Sequence, residues 1–110
     1  MKIEKKQEEK ATVVSIKGRM DAVSSPEFER ETAPLLAEGS NVVILDLAAL
    51  EYISSAGLRS ILTLTKKLKS TGGQLLIAGL QGVVKEVFEI SGFPSIIPLF
   101  DSVESARTRV

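Results

Sequence analysis

The residues best placed to do chemistry are two adjacent hydroxyls, Ser54 and Ser55, in the segment Leu50-Glu51-Tyr52-Ile53-Ser54-Ser55-Ala56-Gly57-Leu58-Arg59. They stand directly before an apolar periodic run, at what reads as the start of a helix. A serine there has two uses. Its oxygen can cap the helix by accepting from a backbone N–H one turn in, worth about 1 kcal/mol. Alternatively its hydroxyl can receive a phosphoryl group, whose charge is favoured by the free N–H groups and the helix dipole. Nothing in the chain would activate either hydroxyl for nucleophilic catalysis, because it contains no His and no Cys. That excludes a Ser-His-Asp triad, a thiolate nucleophile, an imidazole base, a phosphohistidine relay and a zinc site of the Cys/His kind.

Other chemistries find little support. In open α/β sheets, ligand sites gather at the carboxyl ends of strands, and three loops qualify here: Gly18 to Ser25, Asp46 to Gly57, and Gly79 to Gly82. None carries a G-x-G-x-x-G pattern, and no Gly-x4-Gly-Lys-Ser/Thr occurs, so the backbone cradle of a nucleotide site is missing. Asp46 ends a buried apolar run much as a phosphoaspartate would. However, Asp21 alone answers the need for an earlier acidic pair, and no strand-terminal Lys is suitably placed to meet the phosphoryl group, so Asp46 reads as the cap of its own loop. The 14 Lys and Arg balance 14 Asp and Glu, which gives no general electrostatic reason to bind nucleic acid or an anionic membrane. The mixed-charge start, Met1 to Lys10, has no apolar run behind it and does not read as a signal peptide. The apolar stretches Val42 to Leu45 and Ser95 to Phe100 fall far short of the ~20 residues that membrane insertion requires.

Periodicity supplies the elements that must position the serines. A polar edge strand near Lys2 to Glu9 and a strand at Thr12 to Lys17, with Val13, Val14 and Ile16, are expected to form a hairpin. Ser25-Pro26-Glu27 reads as a helix start with Ser25 as N-cap. Phe28, Thr32, Leu35 and Leu36 then share one face as far as Ala37. Pro34 cannot donate to the Arg30 carbonyl, so a kink is expected there. Asn41 to Leu47 reads as a strand buried on both faces, and a short link through Leu50 and Ile53 leads to a helix reaching Ser70, stopped by Gly72-Gly73. Its inward face is Leu58, Ile61, Leu62, Thr65 and Leu68, with Arg59, Lys66, Lys67 and Lys69 outside. A strand at Gln74 to Ala78, a helix from Gly82 to Ile90, a strand from Ile96 to Leu99 and a helix capped by Asp101-Ser102 complete the chain. The order β-β-α-β-α-β-α-β-α predicts an α/β domain spanning residues 1–110, built on a mixed sheet.

The segment from Leu50 to Arg59, joined to Val43-Ile44-Leu45-Asp46-Leu47, resembles the signature of bacterial anti-sigma-factor antagonists, members of the STAS (sulfate transporter and anti-sigma-factor antagonist) family. The turn Gly18-Arg19-Met20-Asp21 is similar to a second family element, a Gly-x-aliphatic-Asp turn before the first helix. The resemblance covers the whole chain in element order and length, and implies a single STAS-like domain. Alignment on Gly57-Leu58 places the family's phosphorylated serine on Ser55. The family's preceding Asp falls on Ser54 and its following Ser or Thr on Ala56, which are departures that leave Ser54 as a competing acceptor. The resemblance also implies a partner-binding surface of Asp21, Ser24, Ser54, Ala56, Gly57 and Arg59. Arg59 shares a helical face with Ser55, where it would screen a phosphate, meet an acid on a partner, or simply be solvated.

The implied protein is a non-enzymatic, cofactor-free cytoplasmic regulator. Its implied partners are an anti-sigma factor that is also a serine protein kinase, and a serine phosphatase. The departures at Ser54 and Ala56 motivate a second reading, a STAS interaction subunit of a lipid or anion transport complex that is not phosphorylated. A small phosphate-binding enzyme ranks third, for want of motifs.

Overall fold

A computed structural model describes residues 1–37 and 42–110. The strands are β1 Lys2–Gln7, β2 Thr12–Met20, β3 Val42–Asp46, β4 Leu50–Ile53, β5 Gln74–Ala78 and β6 Leu99–Phe100. The helices are α1 Ser25–Ala37, α2 Ser55–Ser70, α3 Gly82–Ile90 and α4 Val103–Arg107. The sheet runs β1-β2-β3-β5-β6, and β4 pairs with β2 off this path. β1 is antiparallel to β2 and every other pairing is parallel, giving the mixed α/β fold that the element order predicts. Because β2 to β5 run the same way, the loops after them gather at one end of the sheet.

Alternation along the strands divides the interior in two. Val14, Ile16, Val43, Leu45, Leu75 and Ile77 face the main core, which Phe28 and Leu35 of α1, Ile61, Leu64 and Leu68 of α2, and Val84 and Phe88 of α3 complete. Val13, Ile44, Leu76 and Ala78 face the opposite side, where Val103, Ala106 and Val110 cover them. Thus β3 is buried on both faces, as its apolar run predicts. The expected start of that strand at Asn41 lies outside the described residues, as does Glu38 beyond α1. β1 forms the expected polar edge, exposed except at Ile3. A bidentate ion pair, Arg107 Nε to Glu8 Oε1 at 3.0 Å and Nη2 to Oε2 at 2.7 Å, fastens α4 to the hairpin turn. That hydrogen-bonded pairing pulls the Glu8 carboxyl below its ordinary pKa.

Three expectations are corrected. Leu50 to Ile53 is a strand rather than a link; its inward residues are its two ends, so it shows no alternation in sequence. The last strand is Leu99–Phe100, and Phe93–Ser95 instead forms a 3-10 turn with Ile97 buried behind it. The two prolines, 94 and 98, fit a turn and its exit better than a paired strand. Ser25 does not cap α1: it lies inside the first turn and donates its hydroxyl to the Asp21 carbonyl at 2.6 Å. The helix then continues through Pro34 to Ala37.

β2 carries the geometry that matters for the serines. Thr12 to Ser15 pair with β3, the register shifts between Gly18 and Arg19, and Met20 then pairs with Ile53 of β4. Gly18 supplies the positive φ, +95°, at this bulge, a conformation that costs other residues dearly. Beyond it, the start of α2 presses on the strand ends. A Cβ at Gly57 would lie 2.8 Å from Ile53 Cγ1 and 3.0 Å from the Met20 carbonyl oxygen. Replacing Gly57 by Ala therefore overpacks the contact, which outweighs the gain of ~1 kcal/mol in helix propensity. A net loss of about 1–2 kcal/mol is expected, read as a lower denaturant midpoint with an unchanged slope.

Candidate functional site

Two turns meet at the sheet end where β2 and β4 finish. The first, Asp21 to Ser24, is closed by the Asp21 carboxylate, whose Oδ1 accepts from the Val23 N–H at 3.0 Å and the Ser24 N–H at 3.0 Å. Asp is suited to this because its short side chain reaches the backbone two residues on. The Ser24 hydroxyl oxygen accepts from the Asp21 N–H at 2.9 Å, and its proton lies within reach of Asp21 Oδ1 and of the Arg19 carbonyl, each at 3.1 Å. The Asp21 carboxyl is held below its ordinary pKa. The Ser24 N–H bond contributes most, and the Ser24 hydroxyl, the Val23 N–H and the Arg19 charge add to it against partial desolvation.

The second turn starts α2 and separates the two serines. Ser54 is the N-cap: it has an extended backbone, φ −94° and ψ 174°, and its hydroxyl accepts from the Gly57 N–H at 3.2 Å. Its own N–H donates to the Met20 carbonyl at 2.9 Å, which ties the helix start to the end of β2. Ser55 is the first helical residue and exposed. Among the described residues, no hydrogen bond engages its hydroxyl. The first turn of α2 holds no acidic side chain, so nothing there repels an added anion from the positive end of the helix.

A groove of about 220 Å³ runs between α1 and α2, with Ala22, Pro26, Glu29, Ala56, Arg59 and Ser60 among its lining. Glu29 is occupied, accepting from the Ser60 hydroxyl at 3.0 Å. Arg59 is exposed and forms no ion pair among the described residues. The structure thus brings Ser54, Ser55, Ala56, Gly57 and Arg59 together on the first turns of α2. Asp21 and Ser24 sit on the adjoining turn, since Ala22 and Ala56 line the same groove.

Asp46 takes no part. Its Oδ1 accepts from the Ala48 N–H at 3.1 Å, closing the loop after β3 as expected. One feature escaped sequence reasoning: the Arg19 guanidinium lies over the Tyr52 ring, 4.1 Å from its centroid. Only the register of β2 against β4 places these two residues opposite each other. Among the described residues, no group of three or more metal-binding side chains occurs, and no helix is long and apolar enough to cross a membrane.

The division of labour between the serines has a measurable consequence. Ser54→Ala removes the cap and should cost about 1 kcal/mol, whereas Ser55→Ala leaves every side-chain hydrogen bond in place. Denaturant unfolding should show a lowered midpoint for the first variant and one within error of the parent for the second.

BtrV of Bordetella bronchiseptica, assigned as an anti-sigma factor antagonist, is 42% identical over 94 residues, covering 86% of this chain and 81% of its own. An anti-sigma factor antagonist from Mycobacterium paratuberculosis superposes with a TM-score of 0.91 at 23% identity, over 99% of this chain and 92% of its own. SpoIIAA, a Bacillus cell fate determinant solved in its phosphorylated form, superposes with a TM-score of 0.77 at 16% identity, over 98% of each chain. These two likenesses show the shared fold. The family model for the STAS domain matches residues 2–106, and the chain belongs to the STAS domain family.

Proposed function

We propose that this chain is an anti-sigma factor antagonist that works by partner switching, with Ser55 as the switch. Unphosphorylated, it binds an anti-sigma factor in the cytoplasm and so releases the sigma factor or other target which that partner restrains. The partner is also an ATP-dependent serine kinase. The Ser55 Oγ–P bond forms as the bond between the β- and γ-phosphates of ATP breaks, ADP leaves, and the hydroxyl proton passes to the kinase's base or to water. A metal-dependent serine phosphatase hydrolyses the phosphoserine and restores binding. The observation that carries this reading is the contrast between the serines: Ser54 is used by the fold, and Ser55 is exposed with its hydroxyl free. The name of the Bordetella relative supports the role in regulation, and the phosphorylated form of SpoIIAA supports the chemistry.

The physics of the site fits a switch that acts on binding. About 1.5–2 negative charges would arrive on a surface of small side chains. At the first position of α2 they meet unpaired N–H groups and the positive helix end, so the fold tolerates them. Against a closely packed partner the same charge must be desolvated, at a cost of several kcal/mol. Each ~1.4 kcal/mol is tenfold in affinity. Arg59 borders this surface and is free to screen the phosphate.

The direct test is to incubate the chain with the candidate kinase and ATP and map phosphate by mass spectrometry, then measure binding of Ser55→Asp. Phosphate on Ser55 and a loss of affinity of about a hundredfold are expected. Absence of phosphate from Ser55, or unchanged kinase binding by Ser55→Asp, refutes the proposal.

A further inference from the structure

The face of the sheet turned away from α1 and α2 is only partly covered. Val13 and Ile44 on that face pack with α4 and the chain end, whereas Ser15, Lys17 and Asp46, farther along the same strands and on the same face, lie beyond that cover. β1 adds Lys2 and Glu4, which stand opposite Lys17 and Ser15 in the antiparallel register, and Asp46 stands opposite Ser15 from β3. With Ala48, these side chains line a cavity of about 210 Å³. Its charges fall in two rows. Glu4, Ser15 and Asp46 form an acidic row with a hydroxyl at its centre, and Lys2 and Lys17 form a basic row two residues on. Neither row is satisfied from within. Lysines directly opposite each other on paired strands repel. Lys17 makes no ion pair among the described residues, and the Lys2–Glu4 pair at 3.4 Å is exposed on both sides and therefore weak. Asp46 is half-buried and already oriented: its Oδ1 accepts from the Ala48 N–H at 3.1 Å, while Oδ2 has only the Ser15 hydroxyl at 3.4 Å.

We infer that this cavity binds a small zwitterion of the α-amino-acid class, its carboxylate between Lys2 and Lys17 and its ammonium on Asp46 and Glu4. Charge balance selects that class. Two lysines and two carboxylates sum to zero, so a free anion such as phosphate would also face Glu4 and Asp46, and a metal cation would also face the lysines. A zwitterion set across the rows meets an opposite charge at each end. The rows lie about 6.6 Å apart along β2, a distance that an ammonium and a carboxylate joined through one carbon span with a charged hydrogen bond of about 2.8 Å at each end. Size agrees, since the volume lies below the ~300–1,000 Å³ of drug-sized ligand sites, which suits an amino acid rather than a nucleotide. Asp46 is held by β3 and by the Ala48 N–H before any ligand arrives, and this lowers the ordering cost of binding. The site lies on the opposite face of the sheet from α1 and α2 and stands independently of the partner-switching reading.

Amide NMR titration of the full chain at neutral pH with glycine, L-alanine, L-serine and L-leucine, one at a time, tests the assignment. Acetate, methylammonium and inorganic phosphate serve as controls that carry charge of one sign. At least one amino acid should give saturable shifts at residues 2–4, 15–17 and 46–49 with a millimolar dissociation constant, and the controls should give none there at equal concentration. Lys17→Gln and Asp46→Asn should each weaken that binding about tenfold. Both variants should fold as the parent does, because Lys17 is exposed and an amide oxygen at position 46 still accepts from the Ala48 N–H. Absence of saturable shifts with all four amino acids overturns the inference. So does equal saturation by any of the controls, or parent-like affinity in both variants.

Discussion

The close approach of α2 to the ends of β2 and β4, possible because position 57 has no Cβ, fixes everything else at this end of the molecule. With Gly57 against Ile53 and the Met20 carbonyl, the Ser54 N–H reaches that carbonyl and its hydroxyl turns inward to the Gly57 N–H. Ser54 is thereby committed to structure. The next residue is then the first of the helix and faces outward. A bulkier residue at 57 would lift the helix start away from the strands and blur the distinction between the two hydroxyls on which the proposed switch depends.

The same contact ties the two turns into one surface. Met20, whose carbonyl receives the Ser54 N–H, is followed at once by Asp21, so the Asp21 turn and the α2 start cannot move independently without breaking a backbone hydrogen bond. The bulge at Gly18 is the upstream condition for this. It moves β2 from its partner β3 to its partner β4 and sets Arg19 over Tyr52 on the outward side, while Met20 and Ile53 remain in the core. A negative charge placed at Ser55 would enter a surface whose backbone is held from both sides, and under the proposed switch its consequences would fall on whatever approaches that surface rather than on the fold beneath.

Much of the fold was legible because burial leaves periodic traces. The apolar run of β3, the single inward face of α2 and the Gly72-Gly73 stop after it were all readable, as were the polar edge strand and the Ser102 cap, which accepts from the Ser105 N–H. What escaped depended on tertiary register. β4 shows no alternation, and its existence follows from the bulge that brings β2 to it. Prolines 94 and 98 bracket an apolar pair that looks like a strand until Ile97 is seen to be buried behind a turn. At the site, the residue types and their location were readable, but the roles were not. Two adjacent serines before a helix look alike in sequence, and only the Gly57 contact decides which of them caps. Likewise Ser25 resembled an N-cap, but the Asp21 carbonyl took its hydroxyl.

Charge at Ser55 is proposed to change the surface of this protein and to leave its fold intact. Backbone amide NMR of the chain phosphorylated at Ser55, compared with the unmodified chain, measures this most directly. Shift changes confined to residues 21–24 and to the first turns of α2, with undiminished exchange protection in β2, β3, β5 and the rest of α2, are the predicted result. Loss of protection along α2, or shifts spreading through the core strands, would show that the phosphate acts by disrupting the fold and would contradict the account.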